Sequence, residues 1–360
     1  PNTGGLRGIE AAAAAGAVAG QAGLLLGVIS PVTPEEQGEI RAYMREHPVQ
    51  VEFLDSGLVF DIQITLRGGE DVARVRIANY HTNVIHIERN GEVLLDLPVE
   101  TDDESGLTDR SLLTMIDIYD FAQTVDLDDV REIIGRQIEY NMEISQEGLT
   151  HSYGANIGQV IRANSHPNDS FARAKSAAAA GSDARMGGCE LPVIINSGSG
   201  NQGMTASVPV IVYGRDIGVS EDRLYRALVL SNLITIHQKT RIGRLSAYCG
   251  AVSAGAAAGA GIAYLDGGGY DEVIHTVVNA LAIVSGMICD GAKASCAGKI
   301  AAAIDAGILG YLMYRNGQQF YGGDGILSTT VETTLVNVGR LGKVGMRSTD
   351  KEILKIMLGQ

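Results

Sequence analysis

Ala247–Leu265, AYCGAVSAGAAAGAGIAYL, constrains the fold more than any other stretch. It is long enough to suggest a membrane span. Its residues are mostly Ala and Gly, however, rather than the Leu, Ile and Val of lipid-facing helices. Small on every side, it is expected to be a central helix buried among other helices. The chain has 46 Gly and no Trp, so close backbone approach rather than aromatic anchors should build the core.

The rest of the 360 residues divides by periodicity. Gly8 to Leu26 is expected to be an Ala-rich buried helix. Thr33-Pro34-Glu35-Glu36 is a capping box with Pro at the first helical position. From Val49 the apolar residues alternate in VQVEFL, LVFDIQITLR, DVARVRIANY and TNVIHIERN, as in half-buried strands. Asn90-Gly91 predicts a hairpin turn of the primed type. An acidic linker, Glu100–Gly106, follows. Leu112 to Thr124 and Val130 to Gln146 predict amphipathic helices, and the helical pattern then continues almost to the end. The fold class is α+β: an Ala/Gly-rich helical domain (1–48 and 146–360) with a smaller antiparallel-sheet domain (49–145) set into it.

Cys249, Cys289 and Cys296 stand in a setting of Ala, Gly, Ser and Met, the last two in the pattern C-x6-C. Three thiolates with one position left open would make an open metal site. An iron–sulfur cluster is the soft-ligand form of such a site, although four cysteines are its usual complement. Three inert buried thiols in Ala-rich helices are the alternative. Cys189 lies apart and reads as a plain thiol.

Asn196–Gly203, NSGSGNQG, opens a helix. Its small residues bare backbone N–H groups, and the helix N-terminus adds positive potential, which suits a carboxylate or phosphate. Ser197, Gly198, Ser199, Asn201 and Gln202 are the candidate ligand contacts. There is no Lys-Ser/Thr pair of a P-loop. His81 and Asn83, two further candidate substrate contacts, are expected on one face of a strand that looks into a site at the domain junction, with His86 on the other face. Asp183 and Arg185 are expected to pair beside the glycine loop. His151 and His237 have no evident partner.

The formal net charge of −14 argues against nucleic acid and anionic membrane surfaces. Four cysteines in a chain this long are no disulfide framework and fit a reducing, cytoplasmic setting. The chain begins at Pro1 inside an Ala/Gly-rich pattern, so a preceding segment is expected.

HTNVIHIE, SDARMGG…LP…NSGSGNQGMTASVPV, RLSAYC and SGMICDGAKASC together resemble the L-cysteine desulfidases and the related α-chain of iron–sulfur L-serine dehydratase, over essentially the whole chain. The resemblance implies a [4Fe–4S] cluster on Cys249, Cys289 and Cys296, with one iron free for a small amino-acid substrate. It implies α,β-elimination on L-cysteine to give sulfide, pyruvate and ammonia. The alternatives are L-serine dehydration, or a catalytically silent amino-acid-binding relative. It leaves a homodimer open. The base it implies is a cysteine in an N-terminal P-A-L-G-C-T-E-P motif. That motif is absent from this sequence, so the base is expected in a segment before Pro1.

Overall fold

The structure is a computed structural model that describes residues 3–99 and 108–360. The chain forms two compact units, Pro1–Asp109 with Glu352–Gln360, and Arg110–Lys351. The fold is α+β, with one four-stranded antiparallel sheet in a mainly helical chain.

In the first unit, α1 (Ile9–Ala19) packs on α2 (Pro34–Glu46) through Ala14, Ala15, Ala19, Val32 and Ile40. Helix α1 stops well short of Leu26, because Gly20 turns to an extended conformation and a 3-10 turn follows over Ala22–Gly27. The capping box at α2 forms as expected: Thr33 Oγ1 accepts from the Glu36 N–H, and the Glu36 carboxylate accepts from the Thr33 N–H.

The sheet runs β1 (Asp61–Gly68), β2 (Asp71–Ala78), β3 (Val84–Arg89) and β4 (Glu92–Asp96), each strand paired with the next. Asn90 and Gly91 both have positive φ, 51° and 84°, which the primed turn requires. The Asn90 side chain ties this turn to the neighbouring hairpin, donating to Asp71 Oδ1 at 2.6 Å and accepting from the Val72 N–H at 2.7 Å. Residues 49–54, expected as a strand, run irregularly instead. Alternation specifies a strand only where a ladder partner is in reach. The acidic linker Glu100–Gly106 lies outside the described residues.

The second unit holds α3 (Met115–Thr124), α4 (Leu127–Thr150), α5 (Ile157–Ala163), α6 (Ser170–Met186), α7 (Gly200–Asp216), α8 (Glu221–Ile242), α9 (Gly250–Leu265), α10 (Tyr270–Val284), α11 (Ser295–Arg315), α12 (Val331–Arg340) and α13 (Arg347–Met357, whose last turns belong to the first unit). The Ala/Gly stretch is α9, buried along nearly its whole length as expected. Helix α11 is long and apolar enough to cross a membrane, yet 56% of that stretch is buried inside the fold.

Helices α9 and α11 share a seam of bare backbone. A Cβ at Gly255 would stand 2.5 Å from the Ala303 carbonyl, and one at Gly259 would stand 2.5 Å from the Gly307 carbonyl carbon. Only Gly permits such an approach. Residue numbers rise together along the seam, so the two helices are parallel. The same register carried back sets Cys249, which precedes α9, level with Ala297 in the first turn of α11.

Candidate active site

The approach to α9 is a short extended segment. Tyr248 bridges Ile288 antiparallel, the Cys249 N–H donates to Met287 O at 3.1 Å, and the Cys289 N–H donates to Ala247 O at 2.6 Å. Side chains alternate across such a ribbon. Cys249 and Cys289 therefore fall diagonally on one face, and their sulfurs meet.

The two side chains act on each other. Interaction with Cys249 pulls the Cys289 pKa down to about 6 against the effect of its burial, helped by the Gly291 N–H and by the charges of Lys299 and Lys239. The same interaction, with burial, pushes Cys249 up. Of the two, Cys289 is the more readily ionised. Lys299 is anchored beside it, donating to Ile288 O at 2.7 Å and paired with Asp290.

Cys296 lies in the first turn of α11, half-buried, its sulfur 3.8 Å from Gly291 O. It is level with the pair along the α9–α11 seam but does not touch it. Among the described residues no three His, Cys, Asp or Glu side chains stand together as a metal-ligand group.

The glycine loop makes its turn at Ser197 and Gly198, with φ of 49° and 82°, between mutual Asn196–Ser199 backbone hydrogen bonds of 3.1 Å. Gly198 is thereby left exposed at the tip. Ser197 Oγ donates inward to Asn196 Oδ1 at 2.8 Å. Asn201 Oδ1 faces Ser182 Oγ at 3.3 Å and Arg185 Nη1 at 3.4 Å. The free groups are Ser199, the N-cap of α7 with no side-chain capping bond, and Gln202. Gln202 is 6% exposed, and its Oε1 has no partner among the described residues. Its amide fills the space beside Gly250, where a Cβ would come within 2.7 Å of Oε1. The start of α7 thus meets the start of α9 next to Cys249.

Asp183 and Arg185 do not pair with each other, because residues two apart on a helix point in different directions. Asp183 Oδ2 accepts from the Gly158 N–H at 2.9 Å, satisfying the otherwise free start of α5. Burial raises its pKa. Arg185 packs against Gly200, the first residue of α7, with its Nε 2.6 Å from where a Cβ would stand. Burial lowers its pKa, and the sulfur of Cys296 acts in the opposite sense.

His81 and Asn83 belong to the other compact unit. They lie in the β2–β3 connection rather than on a strand, because Asn79 turns the chain at φ 65° and the register shifts between Arg76 and Ile77. His81 is exposed and packs on Phe60 with ring centroids 4.6 Å apart, while Asn83 Nδ2 donates to Ala78 O at 2.9 Å. His86 is on β3, with Nδ1 3.1 Å from Asp96. His237 does have a partner, Glu332 at 2.9 Å, as does His151, Glu147 at 3.0 Å. Cys189 is half-buried beside Tyr153.

Sequence reasoning missed Lys239. It is 6% exposed on α8, and burial lowers its pKa against the charges of Cys289, Cys249 and Asp350. A lone Lys after the apolar run LITIHQ was the available signal. A surface cleft of about 420 Å³ lined by His275, Tyr314 and Arg315 lies at the opposite end of α11 from the cysteines.

An iron–sulfur cluster, implied by the resemblance, can be tested against these residues. The donors are soft sulfurs, two of them already in contact. The third starts the neighbouring parallel helix at the same level. Gln202 Oε1 is buried without a partner beside Gly250, the residue after Cys249, and two lysines offset negative charge. The residues fit the group in kind, with Cys296 still to be gathered in.

A helical unit with paired cysteines and a glycine loop at adjoining helix starts defines a class also visible by comparison. The chain belongs to the serine dehydratase alpha chain family, whose sequence pattern matches residues 10–355. It is 58% identical to a UPF0597 protein of Desulfitobacterium hafniense over the whole chain and 84% of that relative. It is 48% identical to a UPF0597 protein of Lachnoclostridium phytofermentans over 99% of the chain and 85% of the relative. A third, from Treponema denticola, is 45% identical over 99% of the chain and 84% of the relative. No solved structure matches the chain.

Proposed function

We propose that the chain is a lyase that removes a β-substituent from a small L-amino acid, with L-cysteine as substrate and sulfide, pyruvate and ammonia as products. The observation that carries this reading is the contact between the Cys249–Cys289 pair and the start of the glycine-loop helix through Gln202 and Gly250. Cys249, Cys289 and Cys296 would hold a [4Fe–4S] cluster, which supplies a Lewis acid with a free position when bound.

The chain's own residues have separable tasks. The first N–H groups of α7 and the Arg185 guanidinium take the substrate carboxylate, because a helix start and a planar cation both suit it. Ser199 and Gln202 orient the amino acid through neutral hydrogen bonds. Small residues around Cys249 exclude bulk water, which strengthens each of these interactions. Thiolate is a far weaker base than hydroxide and can depart as an anion. A site with desolvated cations beside sulfur favours cysteine over serine on that ground.

L-Serine dehydration is the second reading, favoured by the family to which the chain belongs. Anaerobic reconstitution with iron and sulfide, followed by sulfide and pyruvate assays on both amino acids, tests the proposal. Sulfide and pyruvate from L-cysteine support it. Pyruvate from L-serine alone replaces it with the second reading, and cluster-loaded protein inert on both defeats the two together.

A further inference from the structure

The turn of the glycine loop is held from outside by side-chain amides. Two of them, Gln137 and Asn141, stand four apart on α4 and so share one face. Asn141, fully buried, grips the chain as it enters the loop. Its Oδ1 accepts from the Ile194 N–H at 2.8 Å, and its Nδ2 donates to Ser207 Oγ at 3.0 Å. Ser207 in turn donates to Gly203 O, near the start of α7, at 2.8 Å. Gln137 forms a reciprocal amide pair with Asn232 of α8. Gln137 Nε2 donates to Asn232 Oδ1 at 3.0 Å, and Asn232 Nδ2 donates to Gln137 Oε1 at 2.7 Å. The Asn196 amide donates to Asn232 Oδ1 at 2.9 Å and to Asn232 O at 3.2 Å, and accepts from Ser197 Oγ at 2.8 Å. An unbroken line of hydrogen bonds therefore runs from α4 through α8 to Ser197.

Ser197 needs this support. Its φ of 49° is left-handed, a conformation that a residue other than Gly keeps only where its surroundings over-determine it. Buried amides add little stability over apolar side chains of the same shape, but a fully paired network admits one arrangement and rejects the others. Gln137 is 2% exposed and Asn196 4%, so packing alone would be served as well by apolar residues there. What the amides specify is the loop: the mutual Asn196–Ser199 bonds, the exposed Gly198 and the uncapped start of α7 beside them.

We infer that Gln137, Asn141 and Asn232 are positioning residues that hold the glycine loop in the shape that receives a carboxylate. They act through the loop, not on the ligand. The carboxylate rests on the lyase reading above; the fixing of the loop does not. N–H groups already in place need no ordering when the ligand arrives, so the network acts on affinity.

The test uses the full, cluster-free chain with L-alanine as probe, an amino acid with no β-substituent to lose. Calorimetry should show binding by the parent and at least ~10-fold weaker binding in Asn232→Leu and in Asn141→Leu, the scale of a displaced binding group. Amide hydrogen exchange over residues 196–203 should quicken in both variants. The double variant Gln137→Met/Asn232→Leu separates positioning from stability. With both amides of the pair made apolar, it should regain most of the melting temperature lost in Asn232→Leu, while its affinity for L-alanine stays low. On reconstituted protein the double variant should raise KM for L-cysteine with little change in kcat. Recovery of stability and affinity together in the double variant overturns the inference and leaves the amides a purely structural pair. So do unchanged exchange and unchanged affinity in Asn232→Leu. Quickened exchange in Asn232→Leu, with a parent that takes up no L-alanine, supports the positioning of the loop and removes the amino-acid reading instead.

Discussion

The Gln202 side-chain amide occupies the volume that a Cβ on Gly250 would need, approaching within 2.7 Å of it at Oε1. Through this contact the helix that opens with the glycine loop meets the helix that opens after Cys249. Gly250→Ala should therefore destabilise the protein by about 1–3 kcal/mol, as overpacking does. Adding Gln202→Ala should restore most of that loss. Chemical denaturation of the two single variants and the double variant measures the coupling. Strictly additive effects would show that the two residues do not share this space.

Cys289→Ala should abolish the brown colour and lower the bound iron after anaerobic reconstitution. Cys289 is the more readily ionised of the pair, and thiolate is the form that ligates metal. Cys189→Ala, away from the pair, should leave iron content unchanged. Unaltered iron in Cys289→Ala would defeat the ligand assignment.

Gly307→Ala should destabilise more than Gly250→Ala. A methyl at Gly307 drives into the Gly255 carbonyl oxygen, and backbone cannot rotate aside as the Gln202 amide can. A loss of about 3 kcal/mol is expected, at the upper end of the overpacking range. Denaturation midpoints of the two variants, compared directly, decide the order.

The sheet unit should lose stability in acid through Asp61. Its side chain is 3% exposed and accepts two hydrogen bonds from Arg76, at 2.9 and 2.7 Å. The hydrogen bonding to Arg76 lowers its pKa in the fold below the reference of 3.8, against the effect of burial. A lowered carboxylate pKa contributes stability above the unfolded value, and that stability is lost as pH falls toward the folded value. The pair should be worth about 1 kcal/mol. Between pH 5 and pH 2 the parent should lose that increment, while Asp61→Asn, lacking it throughout, should show a flatter profile.

Features fixed by local chemistry were legible in the sequence. The Asn90-Gly91 turn, the Thr33 capping box and burial of the Ala/Gly helix depend on residues a few places apart, and each formed as expected. Features set by remote partners were not. His81 and Asn83 read as strand by parity, but a register shift and the turn at Asn79 put them in a connection. Lys239 looked like any helix lysine until the surrounding helices buried it. No spacing announces that Cys249 and Cys289 will share a face. That meeting comes from a single bridge between Tyr248 and Ile288, forty residues apart in the chain.

Helices α9 and α11 are fastened at their far ends as well. Asp266, at the end of α9, accepts from Tyr311 Oη at 2.6 Å, and Arg315, the last residue of α11, reaches the same carboxylate at 3.4 Å. Between that clasp and the cysteines runs a line of contact with no side-chain slack to absorb motion. The gap between the two helix mouths is consequently set by main-chain geometry, so the width offered to a substrate there is a fixed dimension of the scaffold.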